Sequence, residues 1–149
     1  MRLLKIMIIA GLLTVLSSTD CLAGGNPNYS GRWLLDPSAS KMSFKPEAKQ
    51  TLDIAQKDST LDVLETTGTV KQKHGYTLDG VKHKIDVEGV VTVELAAKWQ
   101  GSSIQITSDS GRMKSTETWQ LEDNGKTLSI NRTSSGIVSR QETFKYRKQ

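Results

Sequence analysis

Between Val90 and Tyr146 apolar side chains recur at every second position, and a strand is the regular backbone that sends alternate residues to one face. Val91, Val93, Leu95, Ala97 and Trp99 share a face. The Gln100-Gly101-Ser102-Ser103 stretch that follows suits a two-residue type II′ turn, with glycine first, and it sets Trp99 opposite Ile104 and Ala97 opposite Ile106. In the next strand Met113, Ser115, Glu117, Trp119 and Leu121 point one way, and the wholly polar Lys114, Thr116, Thr118, Gln120 and Glu122 the other. Closing the 122–126 turn so that Leu121 meets Leu128 pairs Trp119 with Ile130 and Glu117 with Arg132, because a register is set by keeping apolar faces together. After Ser134-Ser135-Gly136 a last strand carries Val138, Arg140, Glu142, Phe144 and Tyr146 inward.

Residues 1–23 have another character. Arg2 and Lys5 precede an apolar run from Ile6 to Leu16, and the segment ends in Cys21-Leu22-Ala23. That layout predicts a signal peptide cleaved after Ala23, too short to span a bilayer comfortably, and hence a periplasmic or secreted protein with no transmembrane segment in its mature chain. The alternative is a lipid anchor on Cys21, although Asp20 before it breaks the small-residue pattern of such sites. Asn28 and Asn131 stand in formal glycosylation triplets. A chain starting at Gly24 has no cysteine, so its stability rests on its core, and residues 24–149 suffice for one domain. Two cations and one acid leave with the leader, taking the net charge from +4 to +3. Lysines and acids are interspersed, without the basic block that tracks phosphates, so nucleic acid is not an expected partner.

The rest of the chain is built from similar pieces. Tyr29, Gly31, Trp33 and Leu35 share a face of a first strand that Asp36-Pro37 ends. Ser38 to Lys49 shows no period and reads as a single helical turn or an irregular crossover. Leu52 and Ile54 pair with Leu61 and Val63 across a turn at 56–59, and Gly68-Thr69 leads into Val70 to Leu78. Asp79-Gly80 is a type I′ signal, which predicts that Val70–Leu78 folds back on Val81–Val87. The parity of the apolar face switches between Glu88 and Val90, predicting a bulge or an odd-length loop. No helix longer than a turn is expected.

About 8–10 short strands in meander order, each half apolar, fit an all-β antiparallel up-and-down barrel or half-barrel, since curling removes unpaired edges. Gly31-Arg32-Trp33 in the first strand resembles the Gly-x-Trp signature of lipocalins. In that family the tryptophan closes the barrel under an arginine from the last strand, for which Arg140 and Arg147 are the candidates here. The run from Trp33 through Asp36-Pro37, Leu78-Asp79-Gly80, Trp99-Gln100-Gly101 and Trp119 to Leu128 is also similar to small exported bacterial proteins of lipocalin-like type. The Thr-Asp-Tyr element and the long helix of lipocalins are missing, so calycin-like is the better description of what the resemblance implies.

Charged residues on a core-facing set are informative, because burial without partners is costly. Glu117, Arg132, Arg140 and Glu142 share the face of Trp119, Ile130, Phe144 and Tyr146. They form either the polar floor of a cavity whose arginines fork onto a ligand acid, or ion pairs closed among themselves. Trp33, Trp99 and Trp119 are either core or walls of an apolar pocket. The candidate ligand-binding residues are therefore Trp99, Glu117, Trp119, Arg132, Arg140 and Tyr146. His74 and His83 would lie diagonally across the Asp79-Gly80 hairpin, with Tyr76 opposite His83. A metal there would need a third ligand such as Glu65 or Asp86, and the spacing does not demand one. Neither a catalytic constellation nor a cofactor motif is present, so no enzyme and no cofactor are predicted. The expected function is an exported β-barrel carrying a small hydrophobic or amphipathic ligand; the alternative is a solid barrel acting as an interaction module, a secreted inhibitor or envelope-assembly partner. Oligomeric state is not legible.

Overall fold

The structure, a computed structural model, describes residues 25–149 apart from 88 and 90. The expected leader and Cys21 lie outside the described residues. The strands are β1 (Gly31–Leu35), β2 (Gln50–Lys57), β3 (Thr60–Thr67), β4 (Val70–Thr77), β5 (His83–Val87), β6 (Val91–Gln100), β7 (Ser103–Asp109), β8 (Lys114–Glu122), β9 (Thr127–Ser135) and β10 (Arg140–Lys148). They form one antiparallel sheet in the order β4-β3-β2-β1-β10-β9-β8-β7-β6-β5. Pairing β1 with β10 curls the meander into a half-barrel whose two edges are β4 and β5. Among the described residues the helical structure is a 3-10 turn at Asp123–Gly125, and no helix is long and apolar enough to cross a membrane.

The ladder has the expected register. Trp99 faces Ile104, Ala97 faces Ile106, Trp119 faces Ile130, Leu121 faces Leu128 and Glu117 faces Arg132. Gly101 takes φ of 62°, a conformation that disfavours a Cβ, at the first central position of its turn. The strand ends differ from expectation. Met113 and Val138 lie just outside β8 and β10 and are exposed, because the turns at 110–113 and 136–139 take them out of the ladder. The β2–β3 turn is tighter than expected: Lys57 already faces Thr60, with Asp58-Ser59 between them.

The main correction concerns Asp79-Gly80. These residues do turn the chain, but among the described residues no ladder joins β4 to β5. Gly80 N–H instead donates to the Ala97 carbonyl at 2.8 Å, and Asp79 bridges Lys98, so the chain crosses to β6. Asp79 caps this turn by accepting from Val81 N–H at 2.8 Å. The reason lies in the edge strands: the inward positions of β4 include Gln72 and His74, which offer no apolar face to zip against β5. His74 therefore faces Val63, Tyr76 faces Leu61 and His83 faces Leu95, so the two histidines stand on different ladders and Tyr76 is not opposite His83. The parity switch falls in a connection whose residues 88 and 90 lie outside the described residues; Val87 opposite Val91 leaves an odd number of residues between the strands.

The core is concentrated at one end of the curled sheet. Tyr29, Trp33, Leu61, Ile104 and Leu128 are fully buried there, joined by Leu78, Ala97 and Trp119. Each large apolar side chain contributes about 1.5–3 kcal/mol by leaving water. Tyr29 acts as the plug. Its carbonyl accepts from the Trp33 indole at 2.9 Å, and its hydroxyl donates to the Trp119 carbonyl at 2.9 Å with the Ser102 carbonyl 3.1 Å away. Its ring lies 6.0 Å from that of Trp99. Burial pushes the Tyr29 phenol up to about 12. The cation over Trp33 is neither Arg140 nor Arg147 but Lys148, its ammonium 5.1 Å from the ring centre. Arg147 is held outside by Asp36 at 2.8 Å.

Candidate functional site

At the other end the inward positions change from apolar to charged. On β8 the inward run goes from Trp119 to Glu117 and Ser115, and on β9 from Ile130 to Arg132 and Ser134. Because these positions face each other, Glu117 and Arg132 meet: Nε and Nη2 of Arg132 approach Glu117 Oε1 at 2.8 and 2.7 Å. The other carboxylate oxygen accepts from the Trp119 indole at 2.8 Å. The Arg132 guanidinium also lies 4.8 Å from the centre of the Phe144 ring, on the neighbouring strand.

Two cavities border this pair. The inner one, about 350 Å³, lies between Glu65 of β3, Gln72, His74 and Tyr76 of β4, the Glu117–Arg132 pair and Tyr146 of β10. The outer one, about 680 Å³, opens between the β7–β8 and β9–β10 turns and shares Glu117 and Arg132 with the first. Tyr76 spans the interior to meet Trp119 edge-on, ring centres 6.2 Å apart, and stacks with His74 at 6.4 Å. His74 in turn stands 4.0 Å from Glu65. The Tyr76 and Tyr146 phenols are raised above their ordinary range, first by burial and also by nearby carboxylates. Both are therefore neutral hydrogen-bond donors near neutral pH, and among the described residues neither hydroxyl has a hydrogen-bond partner. The set offers two phenolic donors and one guanidinium, suited to an acceptor-rich group, beside an aromatic wall.

The candidates from the sequence separate along the barrel axis. Glu117, Trp119, Arg132 and Tyr146 line the inner cavity. Arg140 is exposed at the mouth with its guanidinium 5.5 Å from the Phe44 ring, and Glu142 is held there below the usual carboxylate range, chiefly by the Ser43 N–H at 2.8 Å. Trp99 is displaced from this group: it packs on Tyr29 at the closed end and lines neither cavity, because it sits next to the β6–β7 turn at that end. Sequence reasoning did not group Glu65, Gln72 or Tyr76 with this site. Parity from Leu61 and Val63 places Glu65 inward, but which strand lies across the interior from β8 depends on the sheet's curl.

The architecture is calycin-like: up-and-down antiparallel strands, curled, with an interior open at one end. Among solved structures it is similar to Echinococcus granulosus fatty-acid-binding protein 1, with a TM-score of 0.62 and 12% identity over 80% of this chain and 96% of that one. The Schistosoma mansoni fatty acid binding protein in complex with arachidonic acid gives 0.63 and 12% over 81% and 96%. A secretary abundant heat soluble (SAHS) protein from Ramazzottius varieornatus gives 0.64 and 8% over 81% and 95%. At these identities the likeness is one of fold. Neither a scan against protein-family models nor a search of curated proteins finds a match for the sequence.

Proposed function

We propose that this protein is a non-catalytic carrier of a small amphipathic molecule, whose polar head enters the inner cavity while its apolar part lies toward the mouth. The observation that carries the reading is the pair of Tyr76 and Tyr146 hydroxyls, unpartnered beside Arg132 in a cavity that opens outward. Both hydroxyls are open to the cavity, where a ligand acceptor would take both phenols while sharing Arg132 with Glu117. The fatty-acid-binding proteins that share the fold support a ligand of this broad class. Export with loss of residues 1–23 belongs to the same reading and is supported by the short apolar leader; N-terminal sequencing that finds a start at Gly24 supports it, and a lipidated Cys21 replaces it with an anchored form.

The solid-barrel interaction module is favoured by one feature: the Glu117–Arg132 pair is complete without a ligand. Titration with oleate of the wild type and Arg132→Leu, each paired with a melting curve, separates the two. A carrier binds oleate and loses about 1.5–3 kcal/mol of that affinity in the variant, the scale of a hydrogen bond to a charged group. A variant that melts early while the wild type binds neither oleate nor other amphipathic acids removes the carrier reading.

A further inference from the structure

The turns at the two ends of the barrel differ in what they show to water. At the closed end the turn residues at 58–59, 100–102 and 123–126 are polar or glycine, and among the described residues a single large apolar side chain there, Val81 of the 78–82 connection, is exposed. At the open end Phe44 is 77% exposed, Met113 57%, Ile137 97% and Val138 59%. These come from three different connections yet form one platform. The β7–β8 and β9–β10 turns pack backbone to backbone, so that a Cβ on Gly136 would fall 2.6 Å from the Arg112 carbonyl, and Arg140 joins them to Phe44. Lys41, Lys45, Arg112 and Arg140 are exposed around the same platform, and among the described residues none of them is in an ion pair. The acids nearby are engaged or few: Asp109 holds Lys114 at 3.2 Å, Glu142 accepts from Ser43, and Glu47 is exposed.

We propose that this rim docks on the surface of an anionic lipid bilayer, with the cavity mouth facing the lipid. Exposed apolar tips ringed by cations match an interface where acyl chains meet negative headgroups. A second copy of this chain fits less well, because a twofold contact through the same patch would set Arg112 and Arg140 of both copies against one another. The platform also borders the larger cavity, which Arg112, Met113, Ile137, Val138 and Arg140 line, so docking would bring that opening against the lipid. The proposal is independent of what the cavity holds.

Hydrogen exchange on the full chain tests it, with vesicles of phosphatidylcholine alone and of phosphatidylcholine mixed with phosphatidylglycerol. Amides at 43–45, 111–113 and 136–140 should slow with the anionic vesicles, while those at 100–102 and 123–126 stay unchanged. Arg112→Ser/Arg140→Ser should lower affinity for the anionic vesicles by roughly 30-fold, and Phe44→Ser/Ile137→Ser by more than about tenfold. Residues 1–23 are identical in every variant, so differences between variants report the rim. These side chains are exposed, and melting curves matching the wild type verify that the variants fold. Rim amides that stay unprotected, or an affinity unchanged in the arginine variant, would overturn the proposal. So would rim protection that rises with protein concentration in the absence of lipid, which would assign the patch to a second copy.

Discussion

The same ladder of strands encloses two unlike interiors. Toward the β6–β7 turn, Trp33, Ile104, Trp119 and Leu128 fill the space between the strands and Tyr29 seals it. Two residues along the same strands, Glu117 replaces tryptophan on β8 and Arg132 replaces isoleucine on β9, and a space of about 350 Å³ opens beside them. Strand geometry is common to both ends, so the contrast comes from inward side chains. Apolar ones interdigitate without directional demands, whereas charged ones must keep partners and leave room around them.

Truncation at each end gives the sharpest break between the halves. Trp33→Ala should cost about 3–5 kcal/mol, from lost transfer energy and the cavity left behind. Ile137→Ser at the open rim should stay within about 0.5 kcal/mol, as an exposed substitution does. Urea denaturation measures both, and comparable losses would mean that the two ends are packed alike. Arg132→Leu, in protein free of ligand, should cost about 1–3 kcal/mol because Glu117 keeps only the Trp119 indole. Pairing it with Glu117→Gln should recover part of that loss, a coupling that a double-mutant cycle reads.

Tyr29→Phe probes the seal at a smaller scale. It removes the donor to the Trp119 carbonyl, and about 1–2 kcal/mol should go with it. The smallest effect is a slope with pH. All three tyrosines, Tyr29, Tyr76 and Tyr146, have raised phenols, so the unfolded chain releases these protons first. Their contribution is complete below about pH 10 and declines as pH rises beyond it. Ultraviolet titration should show almost no tyrosinate near pH 10 in folded protein, and ordinary titration of one phenol would place that ring in water.

Much of the filled end was legible because its register follows from pairing large apolar residues: Trp99 with Ile104, Trp119 with Ile130, Leu121 with Leu128. The Glu117–Arg132 pair came with that register. The open end was less legible because its walls meet across the interior rather than along a ladder. Tyr76 touches Trp119 although β4 and β8 pair with different neighbours, and no periodicity encodes the curl that joins them. Asp79-Gly80 misled for a related reason. The chain does turn there, but φ is positive at Gly80 and not at Asp79, so the turn is not type I′; hairpin formation also needs complementary strand faces, and Gln72 and His74 do not supply one.

Native mass spectrometry of the protein recovered from its own host tests the central claim, that the charged end is an open site and the apolar end a solid one. The account predicts a small molecule retained by the wild type and lost from Arg132→Leu, with a folded, bare chain remaining. Bare mass for the wild type, or a bound molecule that Arg132→Leu retains in full, would contradict it.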